Sequence, residues 1–228
     1  MADRKKFAVP RAFTAVLLPL ALAGCVTAKP LPPTRAVVTV EPPTKADEWK
    51  RIANAPDANR IARVGAAWTA GLADARAHGF ADEVNKEGVL LRSDAAQPRP
   101  APTPGSYSCR LVQLGSGERK SAAFERFKPF FCYVQVDGDL LTIVKQTGSQ
   151  RPAGRLWEDD GATRLVYLGS LALGDEDAPK AYGDDPNRDM AGVFERIAPF
   201  VWRLVIPWPR NNAKLDVFEL TPVADQPK

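Results

Sequence analysis

From Gly105 onward, apolar residues stop recurring at helical steps and begin to alternate, and clusters of Gly, Pro and Asp fall at turn spacing. Alternate residues of a strand point to opposite faces, so a chain with this pattern satisfies its backbone groups by pairing strands. The spacing predicts strands near residues 105–113, 128–136, 139–146, 153–158, 163–170, 191–197, 200–206 and 214–221. Asp137-Gly138 is the dipeptide of a two-residue hairpin. Short strands joined mainly by short loops favour an antiparallel meander, and about eight of them suffice to close a small barrel.

Two cysteines sharpen the expectation. Placing Cys109 opposite Cys132 also sets Tyr107 opposite Val134 and Leu111 opposite Phe130, so one whole shared face becomes apolar. A slip of one residue would spoil that face. The other face carries Ser108, Arg110 and Gln135, with Phe131 and Tyr133 as apolar exceptions that something must cover. The expected cover is helical. Residues 47–79 carry Trp49 and Ile52, then, after the start signal Pro56-Asp57, Ile61, Val64, Trp68, Leu72 and Ala75 on one stripe. A further helical piece is expected over residues 81–91, weakened by Gly88. The fold class is therefore α+β, with N-terminal helices packed on an antiparallel β-barrel or highly curved sheet.

The N-terminus addresses the chain. Arg4, Lys5, Lys6 and Arg11 accompany an apolar stretch over residues 13–21, followed by Leu22-Ala23-Gly24-Cys25. A basic region, a short apolar run and small residues make a secretory signal peptide, too short for the roughly 20 residues a spanning helix needs. The site resembles the lipobox of bacterial lipoproteins, which implies cleavage before Cys25 and lipid on its thiol and amine. Several acyl chains on one residue anchor stably where one does not. Val26 after the cysteine favours the outer membrane, facing the periplasm. Residues 1–24 are read as signal peptide, 25–45 as lipidated Cys and Pro-rich tether, 46–91 as the helical segment, 92–104 as a Pro-rich linker, 105–222 as the β domain and 223–228 as a tail.

Cleavage removes most of the charge excess. The chain holds 31 Lys+Arg and 27 Asp+Glu; the leader takes four basic residues and Asp3, leaving 27 and 26. No basic stripe remains, so nucleic acid is not an expected partner. Of three cysteines, Cys109 and Cys132 remain as an even pair in an oxidising compartment, where a disulfide is the default.

Candidate sites are few. The one histidine, His78, precedes Gly79 at a helix end and reads as a cap, which removes Ser-His-Asp, Cys-His and His-rich zinc chemistry. Asp185, Asn187 and Asp189 have the alternating oxygens of a calcium loop, with Asp175, Glu176, Asp177 and Asp184 nearby. Met190 stands where that loop needs Gly and Arg196 where it needs the closing Glu, so a solvated acidic loop is the main reading and a weak metal site the lesser one. Glu158-Asp159-Asp160 reads as an acidic hairpin tip, and residues 148–154 as a turn. Tyr107, Phe130, Trp157 and Trp202 are core or ligand-lining candidates. Arg203 faces away from Trp202 and is expected to close a barrel end. No cofactor is expected.

Gly105-Ser106-Tyr107-Ser108-Cys109-Arg110, Thr147-Gly148-Ser149-Gln150-Arg151, Tyr182-Gly183, Arg188-Asp189, Gly192, Glu195-Arg196, Trp202-Arg203-Leu204-Val205 and Leu215-Asp216-Val217 carry a family resemblance. Over about residues 47–222 the chain resembles an uncharacterised family of bacterial envelope proteins, domain of unknown function 4893. That resemblance implies exported proteins with no known activity and supplies no catalytic residues. At the level of fold alone the β region is similar to the calycin barrels of lipocalins and small periplasmic peptidase inhibitors. The expected function is a non-enzymatic, membrane-anchored envelope module that binds an apolar ligand or an envelope protein. A peptidase inhibitor or other protein-binding module, and a hydrolase with an unrecognised carboxylate site, are the alternatives.

Overall fold

The computed structural model describes residues 44–115, 123–174 and 176–223. The leader, Cys25, nearly all of the expected tether, Asp175 and residues 224–228 lie outside the described residues. Pro42–Lys228 forms a compact unit by its own contacts. All described strand pairings and both hydrophobic cores fall within it, so the unit has what it needs to fold alone.

Among the described residues nine strands follow four helices: β1 Gly105–Leu114, β2 Phe124–Arg126, β3 Phe130–Asp137, β4 Leu140–Lys145, β5 Gln150–Glu158, β6 Arg164–Leu173, β7 Asp189–Ala198, β8 Val201–Pro207 and β9 Leu215–Pro222. Each expected strand is present, and β2 is the addition. The order is β2-β1-β3-β4-β5-β6-β7-β8-β9, and pairing of β1 with β9 closes an antiparallel eight-stranded barrel. Because β2 spans three residues, it has no alternation for sequence to reveal.

Closure gives the barrel two apolar faces. Tyr107, Cys109, Val134, Ile143, Leu156, Tyr167, Phe194, Trp202, Leu204, Phe218 and Leu220 point into the lumen and form one core. The intervening Val112, Leu114, Val166, Leu168, Val193, Val205, Leu215 and Val217 point outward and form a second core with the helices. These strands therefore read as near-continuous apolar runs.

Cys109 and Cys132 are joined, with Cα atoms 5.9 Å apart. Their register differs from the expected one. Cys109 pairs with Phe130, Tyr107 with Cys132 and Gly105 with Val134, so the cysteines are diagonal neighbours. The offset is two residues, which preserves the side-chain face, and hydrophobic patterning alone cannot distinguish registers that differ by two.

The helices are α1 Lys45–Ile52, α2 Ala55–Ala62, α3 Val64–Ala77 and α4 Ala81–Lys86, followed by a 3-10 turn Gly88–Leu91. Asn54 caps α2 by accepting from the Asp57 amide at 2.8 Å. His78 is the C-cap of α3, with Nδ1 2.8 Å from the Asp74 carbonyl. Trp49, Ile61, Trp68 and Ala75 of the stripe are buried, as expected, but not on the expected strands. The helices pack on β1, β5, β7, β8 and β9. Phe131 and Tyr133 stay uncovered, at 58% and 36% exposure. Larger continuous apolar area on the outward faces of β6 to β9 wins the helices.

Polar ties fix the helices to that wall. Arg203 is fully buried, lies 4.7 Å from the Trp68 ring, donates to Glu195 Oε2 at 2.7 Å and reaches the carbonyls of Leu90 and Arg92 at 2.9 and 2.6 Å. It thus clamps the outer wall rather than closing a barrel end, because odd residues of β8 face outward. Residues 92–104 are no free spacer: Gln97 bridges to Arg196, whose guanidinium donates to the Pro98 carbonyl at 2.7 Å. The acidic tip is also engaged. Asp159 accepts from Trp49 Nε1 at 3.1 Å and from Arg164 Nε at 2.6 Å, and Asp160 accepts from the Ala46 amide at 3.0 Å. These carboxylates receive the start of α1, where a helix favours negative charge.

Candidate functional site: the open end of the barrel

One end of the lumen is filled. Tyr107 and Trp202 meet edge to face with ring centroids 5.8 Å apart, and the Tyr107 hydroxyl donates to the Thr103 carbonyl at 2.6 Å. Tyr107 and Trp202 are therefore packing residues. Trp157 is an odd residue of β5, faces outward and packs against the helical core, so it does not line the lumen.

The other end holds a cavity of about 670 Å³, within the range of small-molecule sites. Its apolar wall comes from Leu111 (β1), Phe130 (β3), Leu171 (β6), Met190 (β7), Ile206 (β8) and Phe218 (β9). A second chamber of about 20 Å³ lies against Phe130, Lys145, Pro152 and Phe218, which also line the large cavity. Of the four aromatic candidates, Phe130 alone lines this space.

Polar and charged residues also line the cavity, among them Gln113, Lys145, Arg188, Arg210, Asn211 and Asp216, and Tyr167 lines the small chamber. Asp216 is 4% exposed and accepts from Gln113 Nε2 at 2.8 Å and Asn211 Nδ2 at 2.9 Å. Burial dominates those two hydrogen bonds and pushes its carboxyl up to about 6. Lys145 lies on β4 opposite Cys132, with Nζ 4.4 Å from the Phe130 ring centroid. No described carboxylate is within ion-pairing distance of it, and burial pushes its ammonium down from the ordinary value. Tyr167 is fully buried, its hydroxyl has no hydrogen-bond partner among the described residues, and burial pushes that hydroxyl up.

The Tyr167 side chain lies where it does because two glycines leave room. A Cβ on Gly154 would sit 2.6 Å from Tyr167 Cε2, and one on Gly169 would sit 2.5 Å from the Tyr167 hydroxyl. The phenol therefore runs along β6 over Gly169, toward Leu171 and the open end. Glycine inside a strand marks such close approaches.

The mouth is held by the long β6–β7 connection. Tyr182 donates from its hydroxyl to Asp57 Oδ2 at 2.6 Å, and Asp57, in the first turn of α2, is completely buried and also paired with Arg60. Arg188 binds Glu176, and Lys180 reaches Asp185 at 3.2 Å. Asp189 is buried and accepts from the Gly183 amide at 2.9 Å. The acidic loop is largely exposed, as expected for a solvated loop, but ion pairs cross-link it, and Asn187, Arg188 and Asp189 at its end line the cavity. Asp185 is taken up by cations, and among the described residues no three His, Cys, Asp or Glu are placed to hold a metal ion. Arg210 and Lys128 also line the mouth.

Gln113, Lys145, Asn211 and Asp216 were not evident as site residues. The available signal was alternation: Gln113 and Asp216 occupy lumen-facing positions in strands whose other lumen residues are apolar.

Fold and cavity together define a closed antiparallel barrel, packed at one end and open at the other, with helices on its outer wall. The chain belongs to the DUF4893 family, a domain of unknown function whose family model matches residues 49–220. No curated protein and no solved structure matches the chain.

Proposed function

We propose that this chain is a lipid-anchored, non-enzymatic module of the bacterial cell envelope that takes a small, largely apolar ligand into the open end of its barrel. The observation that carries the reading is the cavity of about 670 Å³, whose surface is mostly apolar, from Leu111, Phe130, Leu171, Met190, Ile206 and Phe218, and which polar and charged side chains also line. In a small-molecule site of this size, burial of apolar area supplies affinity and placed polar groups supply orientation. The basic leader, its apolar run and Leu22-Ala23-Gly24-Cys25 support the anchor.

Two measurements test the two halves. The unit Pro42–Lys228 should bind the apolar fluorophore N-phenyl-1-naphthylamine saturably, and Met190→Trp, which fills the lumen, should weaken binding at least about tenfold without lowering thermal stability. Absence of saturable binding, or binding indifferent to Met190→Trp, removes the ligand reading. For the anchor, intact mass of the membrane-fraction protein should show acyl groups on Cys25, and Cys25→Ser should leave an unprocessed or soluble species. An unacylated Cys25 in that fraction removes the anchor.

A further inference from the structure

The two chambers share Lys145, which stands between a large apolar space and a small pocket that ends on Tyr167. We propose that the ligand is an amphiphile with a terminal carboxylate on an unbranched apolar chain, and that it enters carboxylate first. One carboxylate oxygen accepts from the Tyr167 hydroxyl, the other pairs with Lys145 Nζ, and the chain runs outward past Phe130, Phe218, Leu171 and Met190. This rests on the ligand-binding reading above and adds the class of ligand and its direction.

The argument is one of unmet chemistry at a fixed depth. A hydroxyl buried without a partner costs free energy, on the order of 1–3 kcal/mol, and an acceptor arriving from the cavity recovers it. Tyr167 meets that condition: it is fully buried, its oxygen has no partner among the described residues, and its side chain, lying over Gly154 and Gly169, lines the chamber. The chamber measures about 20 Å³, room for a single oxygen-sized group rather than for a chain. One acceptor oxygen can meet Tyr167 there, and the rest of the ligand lies in the larger space. Lys145 then decides its charge. Its ammonium is half-buried at the neck, with the Phe130 ring for company and no described carboxylate in reach. An anion there gains a charge-assisted hydrogen bond at low local dielectric. At the lip, Arg188 and Arg210 add positive charge on the route in.

Titration calorimetry of the unit Pro42–Lys228 with laurate and with dodecanol, below their aggregation limits, separates the possibilities. Laurate should bind at least about tenfold more tightly than dodecanol. Lys145→Met should erase that preference by weakening laurate alone, whereas Lys145→Arg should keep most of it. Tyr167→Phe should weaken laurate about threefold or more. Arg210→Met, which removes a cation at the lip, should change the preference less than about twofold. Equal affinities for the two probes, or a preference that survives both Lys145→Met and Arg210→Met, overturns the carboxylate assignment while the cavity reading stands. A preference lost in Arg210→Met and kept in Lys145→Met overturns the direction of entry. If neither probe binds and N-phenyl-1-naphthylamine also fails, the ligand reading falls and takes this inference with it.

Discussion

Asp216 should make the fold less stable as pH rises, the reverse of the usual carboxylate. Burial lifts its folded-state value from 3.8 to about 6, so between those values the folded chain binds more protons than the unfolded one. Stability from this group is complete below the unfolded value and is lost as pH rises through about 6. At about 1.4 kcal/mol for each pK unit, the full effect is ~3 kcal/mol, of which ~2 kcal/mol falls between about pH 4.5 and pH 7.5. The comparison is Asp216→Asn. Asn211 is fixed because its Oδ1 accepts from the Ala213 amide at 3.1 Å, but Gln113 can turn its amide over and accept from the new side chain. The variant therefore mimics protonated Asp216 without a buried charge. Asp159, Asp94 and Asp185 carry lowered values and pull the opposite way, so the readout is the difference between the proteins. Urea midpoints of the unit Pro42–Lys228 should show the variant gaining on the parent by an amount on the order of 1 M between the two pH values, for a slope near 2 kcal/mol/M. Parallel profiles, or a parent that gains on the variant with rising pH, would refute the reasoning.

Removing both Cys109 and Cys132 should lower stability by about 2–4 kcal/mol in urea unfolding, while membrane attachment, measured by fractionation of the full chain, stays unchanged. Arg203→Met should cost about 3–5 kcal/mol, because it strands Glu195 and the carbonyls of Leu90 and Arg92; a loss below about 1 kcal/mol would show the clamp to be dispensable. Gly169→Ala should cost more than about 1 kcal/mol and displace the Tyr167 ring, seen as a change in near-ultraviolet circular dichroism, because its Cβ would meet both backbone and the Tyr167 hydroxyl.

Local pattern and long-range placement were unequally legible in the sequence. Alternation located the strands, and capping chemistry located the end of α3 at His78, because both act over a few residues. The diagonal relation of Cys109 and Cys132 was hidden because registers two apart present the same face. The helices were expected on the correct outward face but over the wrong strands, for a related reason. Phe131 and Tyr133 drew attention as two apolar residues among polar ones, whereas β6 to β9 offered continuous apolar faces that periodicity does not rank. Asp159 looked like a solvated tip, and only the arrival of Trp49 from α1, far upstream, makes it a buried acceptor. The site was legible as anomalies: Gly154 and Gly169 within strands, and Gln113 and Asp216 on an otherwise apolar face.

The helices explain how this barrel can leave an end open. In a barrel whose lumen is its only core, each unfilled volume removes contacts that nothing else replaces, at about 20 cal/mol per Å² of cavity surface. Here the outward faces of β1 and β6 to β9 make a second core with Trp49, Ile61 and Trp68. Stability is then divided between the two sides of one wall, and the lumen need be packed only where Tyr107, Trp202 and Phe194 lie. The polar residues Gln113, Lys145 and Asp216 fall at the end opposite that packing, where a cavity tolerates them. The same division predicts an asymmetry. Substitutions at Met190 or Leu171 should change ligand binding with little effect on unfolding, and substitutions at Trp68 should do the reverse.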